Sequence, residues 1–441
     1  MKRKLNFILL FITIILTAFQ IDSFGQSIYR ILDEENDALD CKLSILDQAQ
    51  QEVILGYYIF EDDDEIGLTM LNALLAVAKR GVDVKILIDA NKQFSKKTAQ
   101  FLLENNIEVR VFNKRKAFYI STYINRYHDK LFIIDKKHLV TGGRNIKNAY
   151  YSLAKKNFED REVYINDTAI VASVRAHFYS FWDNAKSTTP NRVSKIDDAY
   201  RNDISNKMKE ADSLVSVHVL GRHKSSNYKF NWLDNIVPSD KSDKLSFFYT
   251  NLINYRHYAK RDDAVVDSIN SLINGAQKTI YIDNPYFCPN KKQRKLFKNA
   301  VDRGVKIRVL TNSTGTSDVP LMQGVYLNMR RKLIKIGINL WEYDCNKMIH
   351  MKTMVIDDKI SVISSFNWDR SSYQRNTEVA AVSYDADIAL QHLAMMDKNL
   401  IDAVPILSNN RPAETRRTKF SSRLRAIVSR VPLSIIVKPL L

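Results

Sequence analysis

Two long stretches of the chain carry the same order of apolar and polar positions. In the first, residues 52–60 form an apolar run, residues 67–79 place apolar side chains at helical spacing, and residues 82–89 return to a β-branched run. In the second, residues 278–287, 292–302 and 305–312 repeat that order. Both helical runs end in Arg-Gly, at Arg80-Gly81 and Arg303-Gly304, with glycine just past the helix, where a left-handed backbone is common. A further helix–strand pair follows each, closing at 107–112 and 338–343. Short β-branched runs alternating with helical runs predict βαβ units in a parallel or mixed sheet. Gly304 follows Gly81 by 223 positions. The chain is therefore expected to hold two similar α/β halves, residues 27–186 and 244–407. Residues 187–243 between them are polar and weakly periodic, and read as an elaborated connection with some helix.

Composition narrows the class. The chain has 441 residues, 45% of them hydrophobic, with 12 Gly and 9 Pro. That excludes a collagen-like, low-complexity or small disulfide-stapled chain. A net charge of +17 favours anionic partners, either nucleic acid or acidic lipid head groups. The cysteines Cys41, Cys288 and Cys345 form no Cys-x-x-Cys pair, so no zinc or redox motif is visible, and packing roles are expected of them. Residues 1–25 start with Lys2-Arg3-Lys4 and continue into an apolar run too short to span a bilayer. They read as a secretory signal peptide or an N-terminal anchor, which implies export to the periplasm or the outer face of a bacterial membrane. Residues 408–441 carry eight Lys/Arg and one acidic residue, interleaved with apolar side chains. They read either as a segment lying on an anionic bilayer or as a basic helix docked on the body. The acidic run from Glu61 to Glu65 lacks the spaced ligands of a calcium loop and reads as a solvated loop.

One chemical pattern occurs once in each half. His128-Asp129-Lys130 is followed by Asp135, by Gly142-Gly143 and by Asn145, and His350-Met351-Lys352 is followed by Asp357, by Ser364-Ser365 and by Asn367. The two histidines are 222 positions apart, within one residue of the Arg-Gly offset. In an extended chain residues i and i+2 share a face, so each His points with its Lys. Small residues at 142–143 and 364–365 allow close approach of backbone. If the halves pair face to face, two imidazoles, two ammonium groups and two amides converge. That set suits phosphodiester cleavage. A neutral His attacks phosphorus, a protonated His gives its proton to the leaving oxygen, and Lys and Asn steady the phosphoryl oxygens. The chemistry requires no metal and no cofactor, because the cationic side chains take the electrostatic role of a metal.

These duplicated motifs resemble the HKD signature of the phospholipase D superfamily. The resemblance implies an α/β fold, with two similar phospholipase D-like α/β sandwich halves packed as a pseudo-dimer with one shared active site. It implies His128 as nucleophile and His350 as general acid and then base, with Lys130, Lys352, Asn145 and Asn367 around the phosphate. Asp135 and Asp357 would be structural members of the motif. The family also places a carboxylate some 30 residues after each His, orienting the histidine of the opposite half, and Asp160 and Glu378 fall there. Within the superfamily the chain is most similar to bacterial cardiolipin synthases, through Gly142-Gly143-Arg144-Asn145, Asp283-Asn284-Pro285-Tyr286-Phe287 and the stretch from Leu310 to Pro320. The second motif departs from the pattern, with Ser364-Ser365 in place of Gly-Ser. The resemblance implies a phosphatidyltransferase or phospholipase D acting on phospholipid substrates at an anionic membrane surface. A nuclease of the same superfamily on DNA or RNA is the alternative, and a non-catalytic membrane-binding protein is disfavoured by two complete motifs. Transfer and hydrolysis stay open at this level.

Overall fold

The computed structural model describes residues 27–413 except 93, 115–124, 192–195, 222–231, 238–239, 243 and 252–262. The N-terminal segment and most of the basic tail therefore lie outside the described residues. Each half is built on one mixed sheet. In the first, the strands run in the order Lys241–Ser242, Ser27–Leu32, Glu162–Ile165, His138–Gly142, Lys130–Ile134, Glu52–Tyr57, Asp83–Asp89, Ile107–Phe112 and Ser187–Thr188. In the second, the order is Leu245–Tyr249, Val379–Ser383, Ile360–Ser364, Thr353–Ile356, Thr279–Asp283, Lys306–Asn312, Asn339–Tyr343 and Ala403–Pro405. Strand for strand the two orders coincide, apart from the extra Lys241–Ser242 edge strand of the first sheet.

The parallel part of each sheet is the repeated region found in the sequence. Glu52–Tyr57, Asp83–Asp89 and Ile107–Phe112 pair in parallel, as do Thr279–Asp283, Lys306–Asn312 and Asn339–Tyr343. Parallel strands need a crossover, and the helices Glu65–Lys79 and Lys291–Asp302 supply the first one in each half. Their starts are capped by Asp64 and Asn290, so the backbone donors of the first turn are satisfied by side chains. The acidic run thus contributes a helix cap: Asp64 accepts from the Gly67 and Asn148 amides, and Glu61 pairs with Lys147.

The two halves meet sheet to sheet. Tyr29, Leu131, Leu139 and Val163 of the first half share one buried cluster with Ile363, Val379, Ala381 and Ile388 of the second. Each sheet also has its own core on the opposite face. The polar connection is folded more fully than its composition suggests. Asp198–His218 is a 21-residue helix that lays Ile204, Met208, Ala211 and Val215 into the first core. Its apolar positions fall on one face at helical spacing, and the polar remainder faces water. The cysteines are free, with Cys41 and Cys288 buried and Cys345 half-buried. Among the described residues no helix is long and apolar enough to cross a membrane.

Candidate functional site

Each histidine is held from the opposite half. His128 Nδ1 lies 3.0 Å from a Glu378 carboxylate oxygen, and His350 Nδ1 lies 2.7 Å from Asp160 Oδ2. The backbone makes the same exchange. The His128 amide donates to Thr377 Oγ1 at 2.9 Å, and the Thr377 amide to the Arg126 carbonyl at 3.0 Å. On the other side, Met348–Ile349 pairs in parallel with Phe158–Glu159, and the His350 amide donates to the Glu159 carbonyl at 2.6 Å. The residues before each His are thereby stitched to the residues before the partner carboxylate. A carboxylate on Nδ1 fixes the tautomer and leaves Nε2 for chemistry.

The lysines sit beside the histidines on the same side of the chain. Lys130 Nζ donates to the His128 carbonyl at 2.6 Å. Lys352 Nζ donates to the His350 carbonyl and lies 2.8 Å from His350 Nδ1. The residue between each His and Lys points the other way, as extended chain requires. Asp129 there pairs with His177 at 2.8 Å, and Met351 is buried. Asn145 is fixed through both ends of its amide, Oδ1 accepting from the Ile59 amide at 3.2 Å and Nδ2 donating to Tyr150 Oη at 2.7 Å. Asn367 is buried, and its Oδ1 finds no partner among the described residues.

Burial sets the electrostatics. Desolvation, then Lys130, Lys352 and His350, hold the His128 proton affinity well below the ordinary range. Desolvation and Lys352 pull His350 down, while Asp160 pushes it back up. Desolvation lowers Lys130 to about 7 and Lys352 to about 8. The carboxylates diverge. Burial would raise Asp160, but Lys352 and His350 outweigh it and bring it to about 2. Burial raises Glu378 to about 7 against the pull of Lys130. The site is thus a crowded, buried cluster of cationic groups that an anion would relieve, since a phosphate favours the charged form of each Lys.

Asp135 and Asp357 stand apart from this cavity. Asp135 accepts from the amides of Gln50, Gln51 and Glu52 at 2.7–2.9 Å. Asp357 does the same for Gln277, Lys278 and Thr279. Both have positive φ, at 52° and 53°, where Asp is among the tolerated residues. Each pins the start of the neighbouring parallel strand and so fixes the register of the strand that follows its Lys.

The second motif departs from the pattern at Ser364, whose hydroxyl donates to the Lys352 carbonyl at 2.9 Å, whereas the next position, Gly143 in one half and Ser365 in the other, sets the room left for each carboxylate. A Cβ on Gly143 would come within 2.1 Å of Asp160 Oδ1, so only glycine leaves room for that carboxylate. At the matching place Ser365 donates its hydroxyl to Glu378. Other residues at the site were not picked out from the sequence. Tyr150 Oη lies 3.4 Å from His350 Nε2, Phe158 stacks on the His350 ring, and Tyr58 lies against His128. Arg144 holds the Asp160 carbonyl at 2.7 Å and also reaches Glu162, which is paired with the buried Lys42. For Tyr150 a signal existed: it stands five residues after Asn145, where the second half has Ser372 five after Asn367. A broken repeat at a motif-linked position marks a side chain used once.

The family described as "Cardiolipin synthase, PLD-like domain" matches residues 43–182 and 269–400, which is more than half of the chain. The chain belongs to that family. It is a phospholipase D-type phosphodiesterase or phosphatidyltransferase. Cardiolipin synthase C of Escherichia coli K12 is 27% identical over 410 residues, 84% of each chain. A cardiolipin synthase of Listeria welshimeri is 28% identical over 355 residues, covering 79% of this chain and 64% of the relative. Among solved structures, phosphatidylserine synthase of Haemophilus influenzae Rd KW20 superposes with a TM-score of 0.65 at 14% identity, covering 95% of this chain and 98% of that one. That likeness supports the fold: two phospholipase D-like halves closing on one site.

Proposed function

We propose that the protein is a phosphatidyltransferase of cardiolipin synthase type, working through a phosphohistidine. Neutral His128 Nε2 attacks the phosphorus of a phospholipid phosphodiester. The bond to the head-group oxygen breaks, and protonated His350 Nε2 supplies the proton to that leaving alcohol. The phosphatidyl group is then held on His128. An acceptor hydroxyl, such as the glycerol of phosphatidylglycerol, gives its proton to His350 and attacks phosphorus, which frees His128 and forms the new diester. Water in place of the alcohol gives hydrolysis. Lys130, Lys352, Asn145 and Asn367 carry the charge on the phosphoryl oxygens.

The observation that carries this reading is the crossed pairing of each His Nδ1 with the other half's carboxylate. It leaves two Nε2 atoms of unequal proton affinity in one cationic cavity, with His128 the more strongly held neutral. A neutral imidazole is the nucleophile and the other, supported by Asp160, is the acid. We further place the enzyme at the outer face of a bacterial membrane, a reading supported by residues 1–25 and by the basic tail.

The test is product analysis and trapping. Purified protein incubated with head-group- and phosphate-labelled phosphatidylglycerol should form cardiolipin and glycerol. Acid-labile, base-stable label should stay on the chain in His350→Ala and be absent in His128→Ala. Label retained in His128→Ala and lost in His350→Ala would reverse the roles. Cleavage of DNA or RNA, with phospholipid left intact, would replace this reading by the nuclease one.

A further inference from the structure

Outside the catalytic cavity the second half carries a groove of about 610 Å³, within the ~300–1,000 Å³ range of small-ligand sites. It lies between the helices Lys291–Asp302, Pro320–Ile336 and Arg370–Gln374. Its floor is apolar, with Met322 and Cys288 each 7% exposed and Val325 and Met329 beside them. Its rim is cationic: Lys291, Lys292, Arg294, Lys332 and Arg370 line it, and no Asp or Glu does. Lys291, Lys292 and Lys332 are exposed and make no ion pair with any other described residue. The amides at the start of Lys291–Asp302 are taken by Asn290, whose own amide is met by Gln293. The attraction for an anion therefore comes from the ammonium groups rather than from the helix end.

The two properties together select the ligand. A cationic rim alone suits any phosphate, and an apolar floor alone suits any hydrocarbon. An anionic head beside a flexible chain satisfies both, and methionines adapt to chains of varied shape. The place of the groove is also telling. Its Arg370 follows Asn367-Trp368-Asp369 directly in the chain, and the Cys288 amide on its floor donates to the Trp368 carbonyl at 2.7 Å. The groove is thus beside the loop that carries the motif residue Asn367.

We propose that this groove binds an anionic phospholipid, its phosphate held at the lysine rim and an acyl chain laid over the methionine floor, so that the lipid enters beside the catalytic cavity. This deepens the phospholipid reading of the site and rests on it. A nucleic acid has no chain to cover the floor, which makes it an outcome of the test rather than a second proposal.

The experiment uses the full chain carrying His128→Ala, which binds without turnover, and the same chain with Lys292→Glu and Lys332→Glu added. Both lysines are exposed, so charge reversal leaves the core untouched. The probes are monomeric dihexanoyl phosphatidylglycerol, dihexanoyl phosphatidylcholine, glycerophosphoglycerol and a single-stranded oligonucleotide, followed by calorimetry. The parent should prefer the phosphatidylglycerol over the other three, and the double charge reversal should weaken it about tenfold or more. Val325→Asp should weaken phosphatidylglycerol and leave glycerophosphoglycerol alone. In the His128 enzyme, Lys292→Glu/Lys332→Glu should raise KM for phosphatidylglycerol and leave hydrolysis of bis(p-nitrophenyl) phosphate unchanged. Equal affinity of parent and charge-reversed chain for phosphatidylglycerol, or tighter binding of the oligonucleotide, overturns the groove. If phosphatidylglycerol binds through these lysines and is never turned over, the groove stands and the reading of the active site falls.

Discussion

At the residue scale, the two halves share a pattern but not a proton affinity. Asp160 is ionised at about 2 because Lys352 and His350 overcome its burial, and in return it raises His350 against burial and Lys352. Replacing it by Asn removes the larger of the two groups that support the His350 proton, Asp318 being the other. The sign follows: His350 should titrate at lower pH in Asp160→Asn than in the parent, since the charged imidazolium loses its partner. The alkaline limb of the pH–rate profile, where the acid must still hold its proton, should move the same way. Imidazole NMR titration of the two proteins measures the first, and initial rates from pH 5 to 9 (a range of roughly typical width for His titration) measure the second. An unmoved His350 titration would mean that Asp160 acts on something other than this imidazole. The duplicated His, Lys, Asp and Asn were legible in the sequence because their spacing repeats at one offset. Tyr150 left only the broken match with Ser372 as a trace, because it belongs to one half only and approaches His350 from 200 positions away.

At the element scale, short tight turns aim the groups. Gly142-Gly143 closes the strand His138–Gly142 and passes against Arg161 and Asp160, where a Cβ on either glycine would meet atoms at 2.5 or 2.1 Å. Gly143→Ala should therefore push the Asp160 carboxylate off His350 Nδ1. A displacement near 1 Å costs about 10²-fold in rate, so kcat should fall by roughly that factor while the circular dichroism spectrum stays that of the parent. The matching change Ser365→Gly, which removes a donor from Glu378 but adds no atom, should cost less. Equal losses in the two would show that steric room at Gly143 is not what matters. The sequence predicted the βαβ runs well, because parallel strands are apolar on both faces and their helices have a long period. It predicted less of residues 187–243, because a helix with one narrow apolar stripe, like Asp198–His218, looks polar on average.

At the scale of the whole molecule, the site exists only between halves. Besides the crossed His–carboxylate pairs, Arg161, held by Asp33 of its own half at 2.6 Å, reaches Asp283 of the other half at 3.9 Å, and Tyr249 stacks on His177 across the interface. The tail can also be divided. Residues up to 413 are fixed to the second half, with Arg330 donating to Asn410 at 2.7 and 2.8 Å and the Ile406 amide donating to the Leu340 carbonyl. Residues 414–441, with seven Lys/Arg and one acid, hold most of the charge on which the proposed membrane contact rests, against the alternative of a basic segment docked on the body. Deleting 414–441 should weaken binding to vesicles containing anionic lipid and leave turnover of detergent-dispersed short-chain substrate unchanged, since no site residue is lost. High salt should shrink the difference, because surface attraction is screened within about 10 Å at 0.1 M. Unchanged vesicle binding at low salt, measured by co-sedimentation, would remove the tail from the membrane contact.

The sequence by itself determined the repeated βαβ pattern and the identity of the duplicated motif residues, while the later carboxylates Asp160 and Glu378 followed from the family resemblance. The pattern and the motifs are local: period, spacing and residue type carry them. Only the tertiary structure decided which face of each sheet is shared, the backbone exchange that carries Asp160 to His350 and Glu378 to His128, and that Tyr150 stands at one histidine alone. It also decided that Asp135 and Asp357 fasten strand starts away from the cavity. Such facts depend on contacts between residues 80 to 250 positions apart. No spacing along one chain encodes them, because they arise from burying two apolar sheet faces against each other.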